Sequence, residues 1–275
     1  MKNVYVSVDI EGIWGVASKY STGEGHPEYV HARENMINET NLVIEELYKN
    51  GVENIVVNDS HGSMDNLIPQ KLNPNVSIVT GNSIYKSMGM MEGISKDFDC
   101  CMFIGYHTRE GTADSMLNHT TASKYVHKVE LNGAEAGETM LNTHAAWYYN
   151  VPVALVAGDD KYIEQSLKEF NGKIATVATK KSINRETAIN IPYNKLKQEY
   201  EAKIKQALSM KDFFIGKKDH YEIKITYHTE NAAYFVSNLP TVNRISSKTI
   251  SISGKDYLEL RKLYRMCVSV CYLLQ

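Results

Sequence analysis

Two acidic side chains stand two residues apart directly after an apolar run near the start of the chain. The run at residues 4–6 leads within a few positions to Asp9 and Glu11, in the sequence SVDIEG at residues 7–12. In an extended chain, residues i and i+2 project to the same side, so these two carboxylates would point to one place. Because two close negative charges need solvent or a positive partner, the segment indicates either a solvated turn or a cation site.

Further residues of metal-ligand type follow other apolar runs in the first half of the chain. His61 follows the run at 54–58, His107 follows the run at 99–106, and Glu138 stands at a predicted helix start. Ligands of open α/β sheets bind outside the carboxyl ends of the strands. If these strands are parallel, two imidazoles and three carboxylates meet at one edge of the sheet. The predicted metal ligands are Asp9, Glu11, His61, His107 and Glu138.

Five such ligands are more than one zinc ion usually takes from a protein, so a pair of ions fits better. Such pairs lie about 3.5–4 Å apart and hold a hydrolytic water. We expect Asp9 to bridge the two ions, because it leaves the strand that should lie at the centre of the sheet. Mixed imidazole and carboxylate ligands favour zinc, while manganese, cobalt and nickel stay open.

Each of these residues also has an ordinary structural interpretation. Asp9 could accept hydrogen bonds in a turn beside a solvated Glu11, and His61 could be a loop residue. His107 could be a buried histidine with satisfied hydrogen bonds, and Glu138 a favourable partner of a helix dipole. Their shared position at strand ends favours a metal site over these separate explanations.

Two other histidines lie near these segments in the sequence. His119 follows His107 by twelve residues on the same connection, and it could reach the site as a general acid or an electrophile. His144 follows Glu138 by six residues in a predicted helix and lies on a different face, so we expect a structural role for it. The sequence contains no Walker, GxGxxG or GxSxG pattern, so neither nucleotide binding nor a serine hydrolase is indicated.

Composition narrows the classes of partner. The chain has 275 residues and a formal charge of −2, which disfavours nucleic acid or an anionic membrane as the main partner. No apolar run reaches the roughly 18 residues of a membrane span, and no signal segment is recognised at the N-terminus. The four cysteines lack zinc-ribbon spacing, so we expect buried, reduced thiols. These features predict a cytoplasmic protein.

Apolar runs alternate with helical patterns along the chain, which is typical of an α/β fold. We expect a largely parallel sheet flanked by helices, with a long helix over 29–49 that ends before Gly51. Residues 1–170 are predicted to form the metal-binding catalytic domain, and residues 171–275 a smaller C-terminal α/β lobe involved in assembly. The predicted strands are residues 3–8, 54–58, 76–80, 99–106 and 151–157.

The motifs at the strand ends form a combination that resembles a known family. In order along the chain they are SVDIEG at 7–12, VNDSH at 57–61, GYH at 105–107 and GE at 137–138. Together they resemble the DppA-type D-aminopeptidases, which are binuclear zinc metallopeptidases that remove N-terminal D-amino acids from short peptides. Residues 151–160 are similar to that family as well, whereas the C-terminal lobe resembles it only vaguely.

The resemblance carries implications for the site and the assembly. It implies a catalytic histidine at His119, acting as acid, base or oxyanion stabiliser. It also implies a homo-oligomeric ring, as in decamers of stacked pentamers whose active sites face an inner channel. It finally implies two zinc ions per subunit, held by the same five residues that their positions at the strand ends indicate. These are Asp9, Glu11, His61, His107 and Glu138.

We therefore expect a zinc-dependent aminopeptidase that hydrolyses short peptides with an N-terminal D-amino acid of the D-Ala type, using a water activated by two metal ions. Small peptides are the expected partners. One alternative is a dimetal hydrolase of another class, such as a cell-wall peptide amidase or a phosphoesterase. The latter would need a basic or Gly-rich phosphate cradle, which the sequence does not reveal. The other alternative is a non-enzymatic small-ligand binding protein, which would carry no stoichiometric metal.

Overall fold

The protein, as a computed structural model describing residues 1–274, is built on two β-sheets with helices packed against them. The strands are β1 Asn3–Val8, β2 Asn54–Asp59, β3 Ser77–Val79, β4 Cys100–Tyr106, β5 Val126–Leu131, β6 Ala134–Glu135, β7 Val153–Asp159, β8 Ala175–Asn184, β9 Thr187–Asn190, β10 Tyr221–Tyr227, β11 Asn243–Arg244 and β12 Thr249–Gly254. The α-helices are α1 Lys19–Thr22, α2 Pro27–Lys49, α3 Glu138–Tyr148, α4 Asp160–Glu169, α5 Tyr193–Ser209, α6 Glu230–Val236 and α7 Tyr257–Ser269. Short 3₁₀ helices cover Pro69–Lys71, Ser83–Tyr85, Gly89–Met91 and Val270–Leu273.

The larger sheet has the strand order β3-β2-β1-β4-β7-β8-β9. Its neighbouring strands run parallel, except that β9 returns antiparallel to β8 as a hairpin partner at the edge. Strand β1 lies between β2 and β4, so it is an interior strand, as predicted. The expected α/β fold with a largely parallel sheet is confirmed. Each predicted strand is present, with ends shifted by at most two residues.

Both faces of this sheet are covered, which explains why its strands are apolar throughout. Val4 and Val6 of β1 belong to one apolar cluster, together with residues of α2 and α5. Tyr5, between them in sequence, points to the opposite face and packs in a second cluster with residues of α3, α7 and the smaller sheet. This alternation is the two-residue period of a strand, so one short segment anchors both halves of the core.

The long helix α2 begins two residues earlier than its pattern predicts, at Pro27. Proline suits the first turn because its missing N–H is not needed there and its φ is already helical. The helix ends as expected, since Gly51 lies just beyond it with a φ of +81°. Among the described residues, no helix has both the length and the apolar character that crossing a membrane requires.

The smaller sheet is antiparallel, with the strand order β11-β12-β10-β5-β6. Strands from both sides of residue 170 form it, and β8 and β9, which also lie beyond that residue, extend the larger sheet. The division into residues 1–170 and 171–275 stays a prediction about folding units. All four cysteines are buried and unpaired, in agreement with the expected reduced thiols.

Candidate metal centre

The carboxyl ends of β1, β2 and β4 deliver polar side chains to one edge of the larger sheet. Asp9 is the first residue after β1, His61 follows β2 by two residues, and His107 is the first residue after β4. Glu138 reaches the same place as the first residue of α3. These three strands are adjacent and parallel, so residues far apart in sequence become neighbours at their ends.

Two glycines allow the segment after β1 to lie directly against the end of β4. The Gly12 N–H donates a hydrogen bond of 2.7 Å to the Gly105 carbonyl. A Cβ at Gly12 would lie 2.1 Å from the Tyr106 carbonyl oxygen, and one at Gly105 would lie 2.2 Å from that of Asp9. Gly105 also has a φ of +72°, which side-chain-bearing residues rarely adopt. The close contact brings Asp9 and Glu11 next to the residue that follows β4.

A buried lysine from the C-terminal half of the chain supports the same segment. Lys180 of β8 donates hydrogen bonds of 2.6 Å to the Glu11 carbonyl and 2.8 Å to the Ile13 carbonyl, and a further one to the Val16 carbonyl. A charged donor that satisfies three backbone oxygens holds a loop more firmly than neutral contacts would. The backbone that carries Glu11 is therefore fixed by a strand that lies beyond residue 170.

The first group of possible metal donors consists of Asp9, Glu11 and His61. The His61 Nδ1 lies 3.2 Å from Asp9 Oδ1 and 3.1 Å from Glu11 Oε2. Its Nε2 lies 2.9 Å from the Thr22 carbonyl, an acceptor that requires the proton on Nε2. In the neutral imidazole the lone pair of Nδ1 therefore faces the two carboxylates.

The second group consists of His107, His119 and Glu138. His107 and His119 each place Nδ1 at 2.9 Å from a backbone carbonyl, of Thr108 and Leu117 respectively. Their Nε2 atoms lie 3.8 Å and 3.7 Å from Glu138 Oε1. The two rings are stacked, with centroids 4.1 Å apart and planes inclined by 11°. Both imidazoles thus direct one nitrogen toward the same carboxylate.

Asp9 connects the two groups because its two oxygens face different histidines. Oδ1 lies 3.2 Å from His61 Nδ1, whereas Oδ2 lies 3.5 Å from His107 Nε2. The Nε2 of His107 is buried and has no hydrogen-bond partner. A buried ring nitrogen without a partner, directed at two carboxylates, is the arrangement that a cation between these atoms would satisfy.

Neighbouring charges and burial shift the pKa values of the groups in this cluster. Burial and the charge of Glu11 raise the pKa of Asp9 well above its usual value. Burial would lower the pKa of His61, but the carboxylates of Glu11 and Asp9 raise it well above normal. Burial and the charge of His119 lower the pKa of His107. Protons shared among buried carboxylates and imidazoles are what a divalent cation displaces when it binds.

All six residues selected from the sequence therefore lie in one cluster. In each of the two groups, one possible donor atom per residue lies within 4.8 Å of the others. Every imidazole of the cluster uses one ring nitrogen on a backbone carbonyl and directs the other at a carboxylate. That outer hydrogen bond fixes the tautomer of a histidine that binds a metal. The residues present thus fit the zinc ions that the sequence predicts.

The cluster opens into a cavity of about 440 Å³. Asp9, His61, His119 and Glu138 line one side of it, and α7 and the residues after it line another. The volume lies within the range that small-molecule sites use, about 300–1,000 Å³. A short peptide fits such a cavity, whereas a folded protein does not.

Sequence reasoning missed the two arginines of α7 that line this cavity, Arg261 and Arg265. They are four residues apart in α7, so they lie on one face of the helix. That face also carries Tyr257, Tyr264 and Val268, which are buried. Two cations on the buried face of a helix are unusual, and this was the signal available in the sequence.

The helix α7 also supports the loop that carries His119. Thr121 donates its backbone N–H to Glu138 Oε1 at 2.6 Å, and its hydroxyl lies 2.7 Å from the Tyr264 hydroxyl. The first bond uses a lone pair of Glu138 and thereby orients the carboxylate. The second ties the same loop to the C-terminal helix.

Comparison with known proteins agrees with this geometry. A family model for D-aminopeptidases matches residues 1–266. The chain belongs to the D-aminopeptidase family. The resemblance seen in the strand-end motifs is thereby confirmed, and it extends over the C-terminal half, where the motifs gave little indication.

A related sequence and a solved structure show how much of the chain the similarity covers. A D-aminopeptidase of Bacillus subtilis (strain 168) is 31% identical over 259 residues, which cover 93% of each chain. A solved structure, the Zn-dependent D-aminopeptidase DppA from Bacillus subtilis, a self-compartmentalizing protease, superposes with a TM-score of 0.93 at 29% identity. The superposition covers 99% of this chain and 98% of the other.

Proposed function

We propose that this protein is a zinc-dependent aminopeptidase that removes N-terminal D-amino acids, of the D-Ala type, from short peptides. The observation that carries the proposal is the convergence of three imidazoles and three carboxylates beside one cavity, which four of these six residues line, in a member of the D-aminopeptidase family. The zinc dependence of the similar solved structure supports zinc over the other metals that the donor set accepts.

Five residues would hold the metal in this proposal. Glu11 and His61 would hold one ion, His107 and Glu138 would hold the other, and Asp9 would be shared by both. The support is that Asp9 Oδ1 and Oδ2 face His61 and His107 respectively. Bound zinc supplies Lewis-acid polarisation of the scissile carbonyl and activation of a water molecule.

His119 is the residue we assign to proton transfer or oxyanion stabilisation. Its Nδ1 is held by the Leu117 carbonyl, so Nε2 is the nitrogen available to the cavity. As the neutral ring it presents a lone pair at Nε2 and can accept a proton there; as the imidazolium it can donate from Nε2 to the developing oxyanion or pass that proton to the leaving amine. Its side chain is 19% exposed, against 2% for His107, which suits a group that exchanges protons with substrate.

Assembly and location are part of the same proposal. The similar solved structure is a self-compartmentalizing protease, which supports a homo-oligomeric ring for this chain, with a decamer as the expected form. Free, buried cysteines suit a reducing compartment, so we assign the protein to the cytoplasm. Sedimentation of the purified protein measures the assembly.

The central experiment compares stereoisomers with a metal count. Purified protein should carry about two zinc ions per chain, hydrolyse D-Ala-D-Ala, and leave L-Ala-L-Ala almost intact. Complete removal of metal should abolish hydrolysis, and added zinc should restore it. Hydrolysis that survives complete removal contradicts the metal mechanism, and faster hydrolysis of a phosphomonoester would favour the phosphoesterase alternative. Absence of stoichiometric metal would favour a binding protein.

A further inference from the structure

Two arginines of α7 line the cavity beside the candidate metal centre and take no part in the proposed chemistry. Arg261 and Arg265 are four residues apart and lie on one face of the helix. Arg261 is only 2% exposed, and Arg265 is partly buried. We call these two residues the cationic wall of the cavity, which Asp9 and Glu138 also line.

Neither guanidinium has a carboxylate partner among the described residues. The arginine–carboxylate ion pairs found within residues 1–274 involve Arg109 and Arg244 instead. Arg261 donates from Nη2 to Asn142 Oδ1 at 2.9 Å, and Arg265 from Nη2 to the Ser83 carbonyl at 2.7 Å. Both acceptors are neutral, and the Arg261 guanidinium lies over the Tyr264 ring, 5.1 Å from its centroid. Neither guanidinium is therefore paired with a carboxylate by direct contact.

Several donors of the two guanidinium groups are buried without any acceptor. They are Nε and Nη1 of Arg261 and Nε of Arg265. Burying an unpaired charge is costly, and burying two side by side is more so, because they repel each other. The effect is visible in Arg265, where burial and the charge of Arg261 lower the pKa. An anion in the cavity that both side chains line would offset the two charges.

We propose that Arg261 and Arg265 bind a carboxylate of the peptide substrate, namely its free C-terminal carboxylate. The planar guanidinium presents paired N–H donors that match the two oxygens of a carboxylate. This assignment rests on the proposed aminopeptidase function and adds a specificity determinant to it. It makes the enzyme select short peptides by both ends at once.

The proposed contact would limit the length of peptide that binds. Glu138 and the two arginines line the same cavity, and Asn142, which accepts a hydrogen bond from Arg261, follows Glu138 by one turn of α3. With its scissile carbonyl near Glu138, a short peptide would have its C-terminal carboxylate in this cavity. Each further residue of an extended peptide moves the carboxylate about 3.3–3.6 Å farther from the scissile bond, so we expect short peptides to bind best.

The test measures binding separately from hydrolysis. A hydrolysis-resistant D-Ala-D-Ala analogue, with CH₂–NH in place of the peptide bond, is titrated into the zinc-loaded protein by calorimetry as free acid and as C-terminal amide. We expect the acid to bind about 10- to 100-fold more tightly, the effect of losing one or two charge-assisted hydrogen bonds. The variants Arg261→Met and Arg265→Met keep much of the apolar stem and should lose this preference.

Lys262→Met is the matched control. Lys262 is exposed on the same helix, so the substitution removes one positive charge without changing the cavity wall. It should keep the full preference for the acid. If Arg261→Met does not fold, Arg265→Met and Arg265→Lys test the proposal instead. Lysine retains the positive charge but lacks the paired N–H donors of a guanidinium, so Arg265→Lys should retain only part of the preference for the acid.

Steady-state kinetics give the second measurement. With D-Ala-D-Ala as substrate, the arginine variants should raise KM by about 10- to 100-fold and change kcat much less, because the contact lies away from the reacting atoms. With D-Ala-D-Ala amide, parent and variants should have kcat/KM within about twofold of each other. A loss of activity on the amide equal to that on the acid would indicate a structural role and overturn the proposal.

Other outcomes separate this inference from the proposed function. Equal binding of acid and amide analogues by the parent overturns the arginine site but leaves the peptidase intact. Arginine-dependent preference for the acid in a protein that hydrolyses no peptide supports the site while the peptidase function fails. If only a D-Ala-D-Glu amide analogue binds more tightly, and the gain in affinity depends on the arginines, the site binds an acidic side chain of the substrate. That outcome would overturn the assignment to the C-terminal carboxylate and the preference for short peptides.

Discussion

Helix α3 contributes residues to two cavities, and the pKa of a histidine is shifted in opposite directions in the two. At its first residue it supplies Glu138 to the cavity beside the metal centre, where His61 lies against two carboxylates. Further along it supplies His144 and Trp147 to a second cavity of about 340 Å³ on the other side. Two cavities of similar size thus share one helix but differ in charge.

The second cavity is aromatic. The His144 ring lies 4.8 Å from Trp147 and 5.4 Å from Tyr257, centroid to centroid, and its Nδ1 has no hydrogen-bond partner. Burial, with a contribution from the charge of Lys218, lowers the pKa of His144 to about 4. In contrast, carboxylates raise the pKa of His61. Burial by itself therefore lowers the pKa of a histidine, whereas adjacent carboxylates raise it.

The strongest test of this contrast is removal of the bridging carboxylate. Asp9→Ala should lose zinc from both positions, because each ion would depend on one of its oxygens. Peptidase activity should fall by at least about 1,000-fold. Elemental analysis and a D-Ala-D-Ala assay measure both effects. A variant that keeps two zinc ions would contradict the bridge, and His144→Phe, in the aromatic cavity, serves as the matched control.

Removal of His119 tests whether the second group contains a ligand or a catalytic residue. His119→Ala should keep both zinc ions and lower kcat by about 100- to 10,000-fold, the usual contribution of general acid–base catalysis. Metal content and kcat are measured on the same preparation. Loss of one zinc ion would assign His119 to the metal, together with His107 and Glu138, and the catalytic assignment would fall.

Glu39 extends the comparison of buried titratable groups to a carboxylate that lines neither cavity. It accepts hydrogen bonds from the Trp14 N–H at 2.8 Å and the Tyr200 hydroxyl at 2.5 Å, and burial raises its pKa to about 7. The folded state thus holds the proton more tightly than the unfolded state, whose pKa is near 4.5. Stability from this group is present below pH 4.5 and is lost as the pH rises through 7.

Glu39→Gln removes that dependence while retaining an oxygen acceptor. The difference in the free energy of unfolding, variant minus parent, should increase by about 2–3 kcal/mol from pH 5 to pH 8. Urea unfolding at the two pH values gives the difference, in which the titration of all other groups cancels. An equal difference at both pH values would show that Glu39 titrates normally.

His144 should show the reverse dependence with a smaller effect. Its folded pKa of about 4 lies below the unfolded value of 6.5, so the unfolded state binds the proton first as the pH falls. Stability is full above pH 6.5 and declines toward pH 4. The difference in the free energy of unfolding, His144→Phe minus parent, should therefore increase by about 2 kcal/mol from pH 7 to pH 5. Zinc content and activity should stay within about twofold, because no metal ligand lines this cavity.

The fold was predictable because its signals are local. Strand β1 has the predicted bounds, and α2 ends where Gly51 allows the chain to reverse. Apolar runs without alternation correctly indicated strands covered on both faces. The predicted helix start at Glu138 is present, since α3 begins at that residue.

The candidate site was predictable only in part. Parallel strands end at one edge, so the position of Asp9 and His107 after adjacent strands was enough to expect them together. The position of Lys180 beneath the loop that carries Glu11 was not foreseen, since nothing near it in sequence indicates this role. Nor was the cationic wall foreseen, because the sequence does not indicate which elements a helix will face.

The sequence by itself determined the strands, the long helix and the residue types at the strand ends, since these follow from side-chain periodicity and backbone preference over a few positions. Tertiary structure decided which oxygen of Asp9 faces which histidine, and it brought Arg261 to a cavity formed by residues more than a hundred positions away. Those contacts depend on how separate elements pack, and packing is set by complementary surfaces that no local pattern records.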